Sequence, residues 1–199
     1  YSSLVYEPDS VMFPQAKATG LTVKDWQNLI MVNQFGMRFW DEGDNTYKFF
    51  NAAMAYSGDK TKLNGGGPIW AIFDADAVER EGWTVAPPHV DFEAGFFFAA
   101  DTIAKLAASI VNKHQRAPMP AAALENTVAR YNASVDAGKD PDFGKPSPVY
   151  KIQTPPFYAG WATPVIHDTR AGLRIDAKCQ VIDMNGNAIP GLYCGGESA

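Results

Sequence analysis

The residues best suited to contact a ligand lie at the end of the chain, where Gly195-Gly196 is followed by Glu197. Glycine has no Cβ, so a strand that ends in two glycines lets its backbone approach a bound molecule closely. The carboxylate that follows can accept hydrogen bonds from the hydroxyl groups of a sugar or sugar alcohol. Gly195, Gly196 and Glu197 are therefore candidate ligand contacts. Taken alone, the same residues are also compatible with a solvated glutamate in a turn.

The same segment offers a hydrolase as an alternative. Gly196-Glu197-Ser198-Ala199 is similar to the nucleophile elbow of carboxylesterases, and Asn64-Gly65-Gly66-Gly67 could supply an oxyanion-hole loop. A serine hydrolase would also need an acid and a histidine after Ser198 in the chain. The Asn185-Gly186 turn leading into Pro190-Gly191 is unlike the buried parallel strand that precedes an elbow. We therefore keep the hydrolase, with its elbow at Ser198, as the second interpretation.

Composition excludes several other classes. The formal net charge of −5, without any run of basic residues, argues against a nucleic-acid partner, because phosphate binding requires a basic field. Cys179 and Cys194 are too few for a disulfide scaffold and have no metal-ligand spacing, so we expect two buried or half-buried thiols. The three histidines, His89, His114 and His167, are scattered, so no metal site is expected.

The chain shows no sequence signal for a membrane. Its longest apolar stretch, residues 94–111, is interrupted by Asp101 and Lys105, so we expect no membrane span. No charged start followed by an apolar core opens the chain, so no signal peptide is visible. Either the protein never had a signal peptide or its N-terminal part is missing from this sequence. The sequence therefore does not decide between the cytoplasm and the periplasm.

The pattern of apolar residues predicts a mixed α+β chain. Residues 1–24 show little periodicity, so we expect irregular chain there. The β-prone runs 29–32 and 37–40 flank a turn at 33–36 and predict a hairpin. Residues 69–73 predict a compact strand, and Asp74 is placed to cap a short helix after it.

Three further helices are predicted from apolar residues at helical spacing. Their apolar positions are Tyr47, Phe50 and Met54 in the first, Ile103, Leu106, Ala107 and Ile110 in the second, and Leu124, Val128, Tyr131 and Val135 in the third. Asp101-Thr102 is expected to cap the second, and Gly138 to end the third. Residues 139–156 contain five prolines and predict an extended connection. Strands are predicted at 174–176, 180–183 and 192–194, with a turn at Asn185-Gly186.

Four blocks, in this order, resemble the fumarate reductase and succinate dehydrogenase flavoprotein family, which includes ketosteroid dehydrogenases. Residues 32–42 are similar to V-N-x-x-G-x-R-F-x-[ND]-E, and Arg38 and Glu42 are expected to form a structural ion pair. Residues 100–107 and 124–140 resemble a two-helix capping region. Residues 164–197 are similar to H-x-T-x-G-G-L, a V-[LI]-D strand, an N-G turn and I-P-G-L-Y-A-[AG]-G-E.

The resemblance implies an FAD-dependent oxidoreductase that passes hydride between the flavin and a C–C bond beside a carbonyl or carboxylate. Glu197 would bind the ribityl or ribose chain of FAD, with Gly195, Gly196 and Gly172 beside the cofactor. Ala171 stands in place of the first glycine of the family's G-G pair. His167 and Thr169, the family's H-x-T, would face the small-molecule substrate.

One departure from the family pattern bears on the substrate. Fumarate reductases place a proton-donating arginine four residues after the glutamate, and here that position is Thr46. Ketosteroid dehydrogenases have a catalytic tyrosine near this place, and Tyr47 is its candidate counterpart. Tyr47 is equally compatible with a core position on a helix. The resemblance therefore predicts a poor fumarate reductase.

The family's dinucleotide fingerprint is absent from the chain. A G-x-G-x-x-G turn seats the pyrophosphate on a helix N-terminus, whereas Gly65-Gly66-Gly67 is followed by Pro68. The predicted architecture is therefore a lead-in at 1–29, a capping domain at 30–150 and the C-terminal β segment of the FAD-binding domain at 151–199. The N-terminal Rossmann part would be missing. The expected partner is the remainder of the flavoprotein, without which the chain would be an inactive, colourless fragment.

Overall fold

The structure is a computed structural model that describes residues 21–44, 52, 68–163 and 172–196. The chain forms two compact units, Tyr1–Pro164 and Val165–Ala199. The predicted division near residue 150 concerns domains of the parent family and stays a prediction. The predicted helix around Tyr47 and the loop at 64–67 lie outside the described residues, except for Ala52, which is helical.

A four-stranded antiparallel sheet is the centre of the first unit. Its strands are β1 (Ile30–Asn33), β2 (Ile69–Phe73), β3 (Phe97–Ala100) and β4 (Phe157–Trp161), in the spatial order β1-β2-β4-β3. Every residue of β1 and β2 is buried. Alternate residues of these strands enter two separate hydrophobic cores, one on each face of the sheet. Burial on both faces explains why the strands appear in the sequence as unbroken apolar runs.

Within 68–163 three α-helices accompany the sheet: α1 (Ala75–Glu81), α2 (Ile103–Ser109) and α3 (Ala121–Asp136). The caps of α1 and α2 are as predicted, because Asp74 accepts from the backbone N–H of Ala77 and Thr102 accepts from that of Lys105. Gly138 follows α3 with φ +62°, and its N–H and that of Lys139 donate to Val135 and Ser134 carbonyls. This is the Schellman arrangement that favours glycine. Leu106, Leu124 and Tyr131 pack on one face of the sheet.

One strand prediction is wrong in the first unit, and two strands were not predicted. Residues 37–40 form no strand: Val32 and Arg38 make a single bridge, and the Asn33 side chain accepts from the N–H of Phe35 and of Met37, which folds the chain tightly. The long-range partner of β1 is β2 instead. β3 and β4 were not predicted. In β4 the strand signal is weak, because two prolines precede the strand and Gly160 lies within it.

The second unit contains an antiparallel ribbon of β5 (Gln180–Ile182) and β6 (Ala188–Tyr193). β5 lies within the strand predicted at 180–183, whereas β6 begins four residues before the strand predicted at 192–194. The predicted strand at 174–176 is wrong, because Ile175 makes only an isolated bridge to Val181. The predicted turn is present: Asp183 Oδ1 accepts from the N–H groups of Asn185 and Asn187, each at 2.8 Å, and Gly186 has φ +88°. Hydrogen bonds to the backbone of Asn187 and Asn185 lower the pKa of Asp183.

No helix within the described ranges is long and apolar enough to cross a membrane. In the same ranges no group of three or more His, Cys, Asp and Glu residues is arranged to hold a metal ion.

Candidate functional site

The end of the ribbon presents an open backbone surface. β6 is exposed along its whole length and leads to Gly195 and Gly196, which are also exposed. A Cβ built on either glycine would meet no atom of the described residues within 4 Å, and Gly196 has φ +71°. This conformation favours glycine. Among the described residues, the space beside this backbone is therefore open.

Gly172 is exposed as well and precedes Leu173, whose exposed fraction is 51%. The three described candidate cofactor contacts, Gly172, Gly195 and Gly196, thus all have accessible backbone. The remaining candidates, Tyr47, His167, Thr169, Ala171 and Glu197, lie outside the described residues, as does Ser198 of the hydrolase alternative. Their roles stay predictions.

A buried cluster of four charges lies in the first unit. Arg38 Nε and Nη2 donate to the two carboxylate oxygens of Glu42, each at 2.8 Å, which confirms the predicted ion pair. Arg38 Nη2 also donates to Asp140 Oδ2 at 3.0 Å. Lys145 Nζ lies 3.3 Å from Glu42 Oε2. The guanidinium lies 5.1 Å from the ring centroid of Tyr131 and 5.2 Å from that of Phe143.

The cluster holds its charges against the cost of burial. Burial opposes ionisation of Glu42, but the charge of Lys145 and the hydrogen bonds and charge of Arg38 outweigh it and lower the Glu42 pKa. The same balance, with Arg38 as partner, lowers the pKa of Asp140. Burial lowers the pKa of Lys145 although the charge of Glu42 opposes this. Burial also opposes the charge of Arg38, yet its two carboxylate partners raise the guanidinium pKa.

Sequence reasoning found Arg38 and Glu42 but not Asp140 and Lys145. Lys145 stands between Gly144 and Pro146 in the proline-rich connection, where a lysine usually marks a solvated loop. Its Nζ instead donates to the carbonyls of Trp26 and Leu29, at 2.8 and 3.0 Å, and so ties the connection to the chain that enters β1. Of these two residues, Asp140 could have been found from the sequence, because it lies within the block 124–140 that is similar to the capping region.

A cleft of about 540 Å³ opens beside this cluster; it is lined by residues 24–27, Asp41, Gly43, Asp44 and Pro146. One side of the cleft is the segment 24–27, which is held by Glu81 at the end of α1. The Glu81 carboxylate accepts hydrogen bonds from the N–H of Lys24, the N–H of Asp25 and the side chain of Asn28, at 2.7–2.9 Å. Burial raises the pKa of Asp41. Asp44 precedes the candidate Tyr47 by three positions in the sequence.

The described residues form a mixed α+β fold whose C-terminal ribbon ends in two exposed glycines. Comparison with known proteins identifies the class. Residues 10–199 match the family model of the FAD binding domain, and the chain belongs to this family. FAD is accordingly its cofactor.

The curated relatives include an oxidoreductase and a reductase. The chain is 35% identical to the NADH:acrylate oxidoreductase of Vibrio harveyi over 184 residues, which are 92% of this chain and 16% of that protein. It is 33% identical to the fumarate reductase (cytochrome) of Shewanella frigidimarina, over 84% of this chain and 26% of that protein. This chain thus spans only 16% and 26% of the length of these two relatives.

A solved structure gives the same result for the fold. The open conformation of a flavocytochrome c3 fumarate reductase matches with a TM-score of 0.58 and 27% identity, over 89% of this chain and 28% of that one. The comparisons thus confirm the predicted family, and they argue against the hydrolase. β6 argues against it too, because it is an exposed antiparallel strand.

Proposed function

We propose that this chain is part of an FAD-dependent oxidoreductase that transfers hydride between the flavin and a C–C bond adjacent to a carbonyl or carboxylate. The observation that carries the proposal is the family match over residues 10–199, together with similarity to an acrylate oxidoreductase and a fumarate reductase. Bound FAD would supply the hydride chemistry. The residues of this chain would hold the cofactor and position the substrate.

The open end of the ribbon fits the cofactor. Gly195 and Gly196 leave room for close approach, because an added Cβ at either position would meet none of the described atoms within 4 Å. In the proposal, Glu197 accepts hydrogen bonds from the hydroxyl groups of the cofactor, and Gly172 lies beside it with Ala171. Within residues 1–199 no G-x-G-x-x-G turn is present, so the pyrophosphate contacts belong to the remainder of the flavoprotein.

The proposed substrate is a ketone or a monocarboxylate rather than a dicarboxylate. Binding of a dianion calls for cationic groups, preferably arginine. Thr46 stands where the fumarate reductase pattern has an arginine. The cleft that ends two positions before Thr46 in the sequence is lined by three carboxylates, those of Asp25, Asp41 and Asp44. His167, Thr169 and Tyr47 are the proposed substrate contacts, with Tyr47 as proton donor or acceptor.

A substrate panel tests the proposal on the full polypeptide in which this chain occurs. Flavin occupancy is measured by absorption, and turnover is followed with fumarate, acrylate and a 3-ketosteroid, using artificial electron donors and acceptors. We expect bound flavin, turnover of the ketone or of acrylate, and slow reduction of fumarate. Rapid fumarate turnover would refute the substrate class. Absence of flavin, or ester hydrolysis that depends on Ser198, would refute the proposed function itself.

Tyr47→Phe separates the proposed catalytic role of Tyr47 from a packing role. If Tyr47 transfers a proton, the substitution should lower kcat by about 100-fold or more while flavin occupancy is unchanged. A core tyrosine without a proton-transfer role predicts near-normal kcat for this variant.

A further inference from the structure

The two cysteines stand opposite each other at the open end of the ribbon. Gln180 pairs with Tyr193, so the next positions outward on the two chains are Cys179 and Cys194. The N–H of Cys194 donates to the carbonyl of Cys179 at 3.0 Å. A single N–H···O bond of this length, added to the covalent distances from each atom to its own Cα, keeps the two Cα atoms within about 7 Å of each other. Disulfides join Cα atoms about 4.4–6.8 Å apart, so the backbone spacing suits a cross-link.

The local structure holds Cys179 in place. Asp176 Oδ1 accepts from the N–H groups of Lys178 and Gln180, each at 2.9 Å, and the Cys179 N–H donates to the Asp176 carbonyl at 3.0 Å. Cys179 itself has φ +61°, an uncommon conformation for a residue with a side chain. This turn therefore fixes the backbone of Cys179 against that of Cys194 and reduces the entropy lost on cross-linking.

Reagents can reach the pair. Cys179 is exposed and Cys194 is half-buried, and no disulfide joins them in the structure. The prediction of buried or half-buried thiols is therefore wrong for Cys179, because the turn lies on the surface. Exposure makes Cys179 the cysteine that a disulfide reagent meets first, and Cys194 the one that resolves the resulting adduct.

We propose that Cys179 and Cys194 form a reversible redox site, which is oxidised to a cross-strand disulfide by a low-molecular-weight disulfide. The Cys179 thiolate attacks one sulfur of the reagent and releases the first thiolate. The Cys194 thiolate then attacks the Cys179 sulfur and releases the second. The protons of the two protein thiols pass to the two released thiolates. One reagent disulfide is thus reduced to two thiols while the cysteine pair loses two electrons.

The cross-link would act on the proposed cofactor contact. Cys194 immediately precedes Gly195 and Gly196, so the disulfide fastens their backbone to the start of β5. This consequence rests on the proposed function, in which the two glycines touch FAD. Fixing a binding segment in place reduces the entropy lost on binding. We therefore expect FAD to dissociate about threefold more slowly from the oxidised protein.

The test treats the full polypeptide with oxidised glutathione and analyses it by mass spectrometry without reduction. Trypsin leaves both cysteines in one peptide, since no Lys or Arg follows Lys178 within the chain. Cleavage before Asp183, the only aspartate between the two cysteines, separates them. We expect the two peptides to remain joined, with a mass lower by two hydrogens than their sum, and to separate after dithiothreitol.

Cys194→Ser is the diagnostic variant, because it removes only the resolving thiol. It should accumulate about tenfold more glutathione adduct on Cys179 than the unsubstituted protein does. Cys179→Ser should form no cross-link. Peptides that remain separate in the unsubstituted protein, or a glutathione adduct on Cys179 that persists beside an intact Cys194, would overturn the redox site.

Flavin release is measured on the oxidised and reduced forms of the same preparation. Equal release rates with the cross-link present would overturn the coupling to FAD and leave the proposed function standing. A protein that forms the cross-link but binds no flavin in either form would instead overturn the proposed function. The two failures are therefore distinguishable.

Discussion

Lys145 Nζ lies 3.3 Å from Oε2 of Glu42, and neither side chain has any exposed surface. The two residues join distant parts of the chain: Glu42 follows the turn after β1, and Lys145 belongs to the connection between α3 and β4. Each also has other partners, Arg38 for the carboxylate and two main-chain carbonyls for the ammonium. A buried charge is tolerated only when it is paired and hydrogen-bonded in this way.

The first prediction concerns removal of one charge from this cluster. Lys145→Met should lower the free energy of unfolding by about 3–5 kcal/mol, because it removes a cation that faces the buried Glu42 carboxylate and takes the ammonium donor away from two carbonyls. Urea denaturation measures the change. Lys151→Met is the matched control, since Lys151 pairs with Asp136 at the surface and should cost less than about 1 kcal/mol. Equal losses for the two variants would contradict a special role for Lys145.

The second prediction concerns acid. The folded-state pKa values of Glu42 and Asp140 lie below their ordinary values of 4.5 and 3.8, so the unfolded chain binds protons more tightly than the folded one. Their contribution to stability is therefore complete above those ordinary values and is lost as the pH falls through the lowered ones. The urea midpoint should fall as the pH is taken from about 6 to about 3.

Glu42→Gln provides the control for this pH dependence. The variant cannot titrate at position 42, so its unfolding free energy should change less steeply with pH over the same range, whatever its absolute stability. If the slope equals that of the unsubstituted protein, the acid sensitivity comes from other carboxyl groups.

The third prediction concerns Asp74, whose carboxylate connects three segments. Oδ1 accepts from the N–H of Ala77 at 3.0 Å and caps α1, while Oδ2 accepts from the N–H groups of Gln153 and Thr154 at 2.9 and 3.0 Å. Asp74→Ala should cost roughly 2–4 kcal/mol, because it removes a cap and leaves buried donors without an acceptor. Thermal or urea unfolding measures the loss.

Asp91→Ala is the comparison for Asp74. Asp91 also accepts from two backbone N–H groups, those of Glu93 and Ala94, but it is exposed, so water can replace the lost bonds. Its substitution should cost less than about 1 kcal/mol. A similar cost at both positions would show that burial of the donors does not matter.

The parts of the fold that were predictable from the sequence are those fixed by neighbours along the chain. Asp74 and Thr102 cap helices that begin right after them, and Gly138 ends α3 because its own conformation suits that position. The Asn185-Gly186 turn is equally local. Arg38 and Glu42 were predicted as a pair because they are only four residues apart.

The parts that were missed depend on distant partners. Ile30 pairs with Ile72, whereas the sequence favoured the nearby residues 37–40 as the partner strand. β4 lies between β2 and β3, and this central position is invisible in a short segment that follows two prolines. Lys145 was missed for the same reason, since its burial is decided by Glu42 and by carbonyls more than a hundred positions away.

The last prediction tests the proposed cofactor contact with two glycines that share their geometry. Gly196 and Gly186 both have positive φ, +71° and +88°, and within the part of the chain that the structure describes a Cβ at either would meet no atom within 4 Å. Asparagine tolerates this conformation, so Gly196→Asn and Gly186→Asn should both fold normally. If FAD rests against the backbone at Gly196, the added side chain should weaken FAD binding by about tenfold or more, an effect of about 1.4 kcal/mol. Gly186→Asn lies in the turn at the other end of β6 and should bind FAD as the unsubstituted protein does. Flavin titration of the full polypeptide measures both constants, and unchanged affinity in Gly196→Asn would remove this segment from the cofactor site.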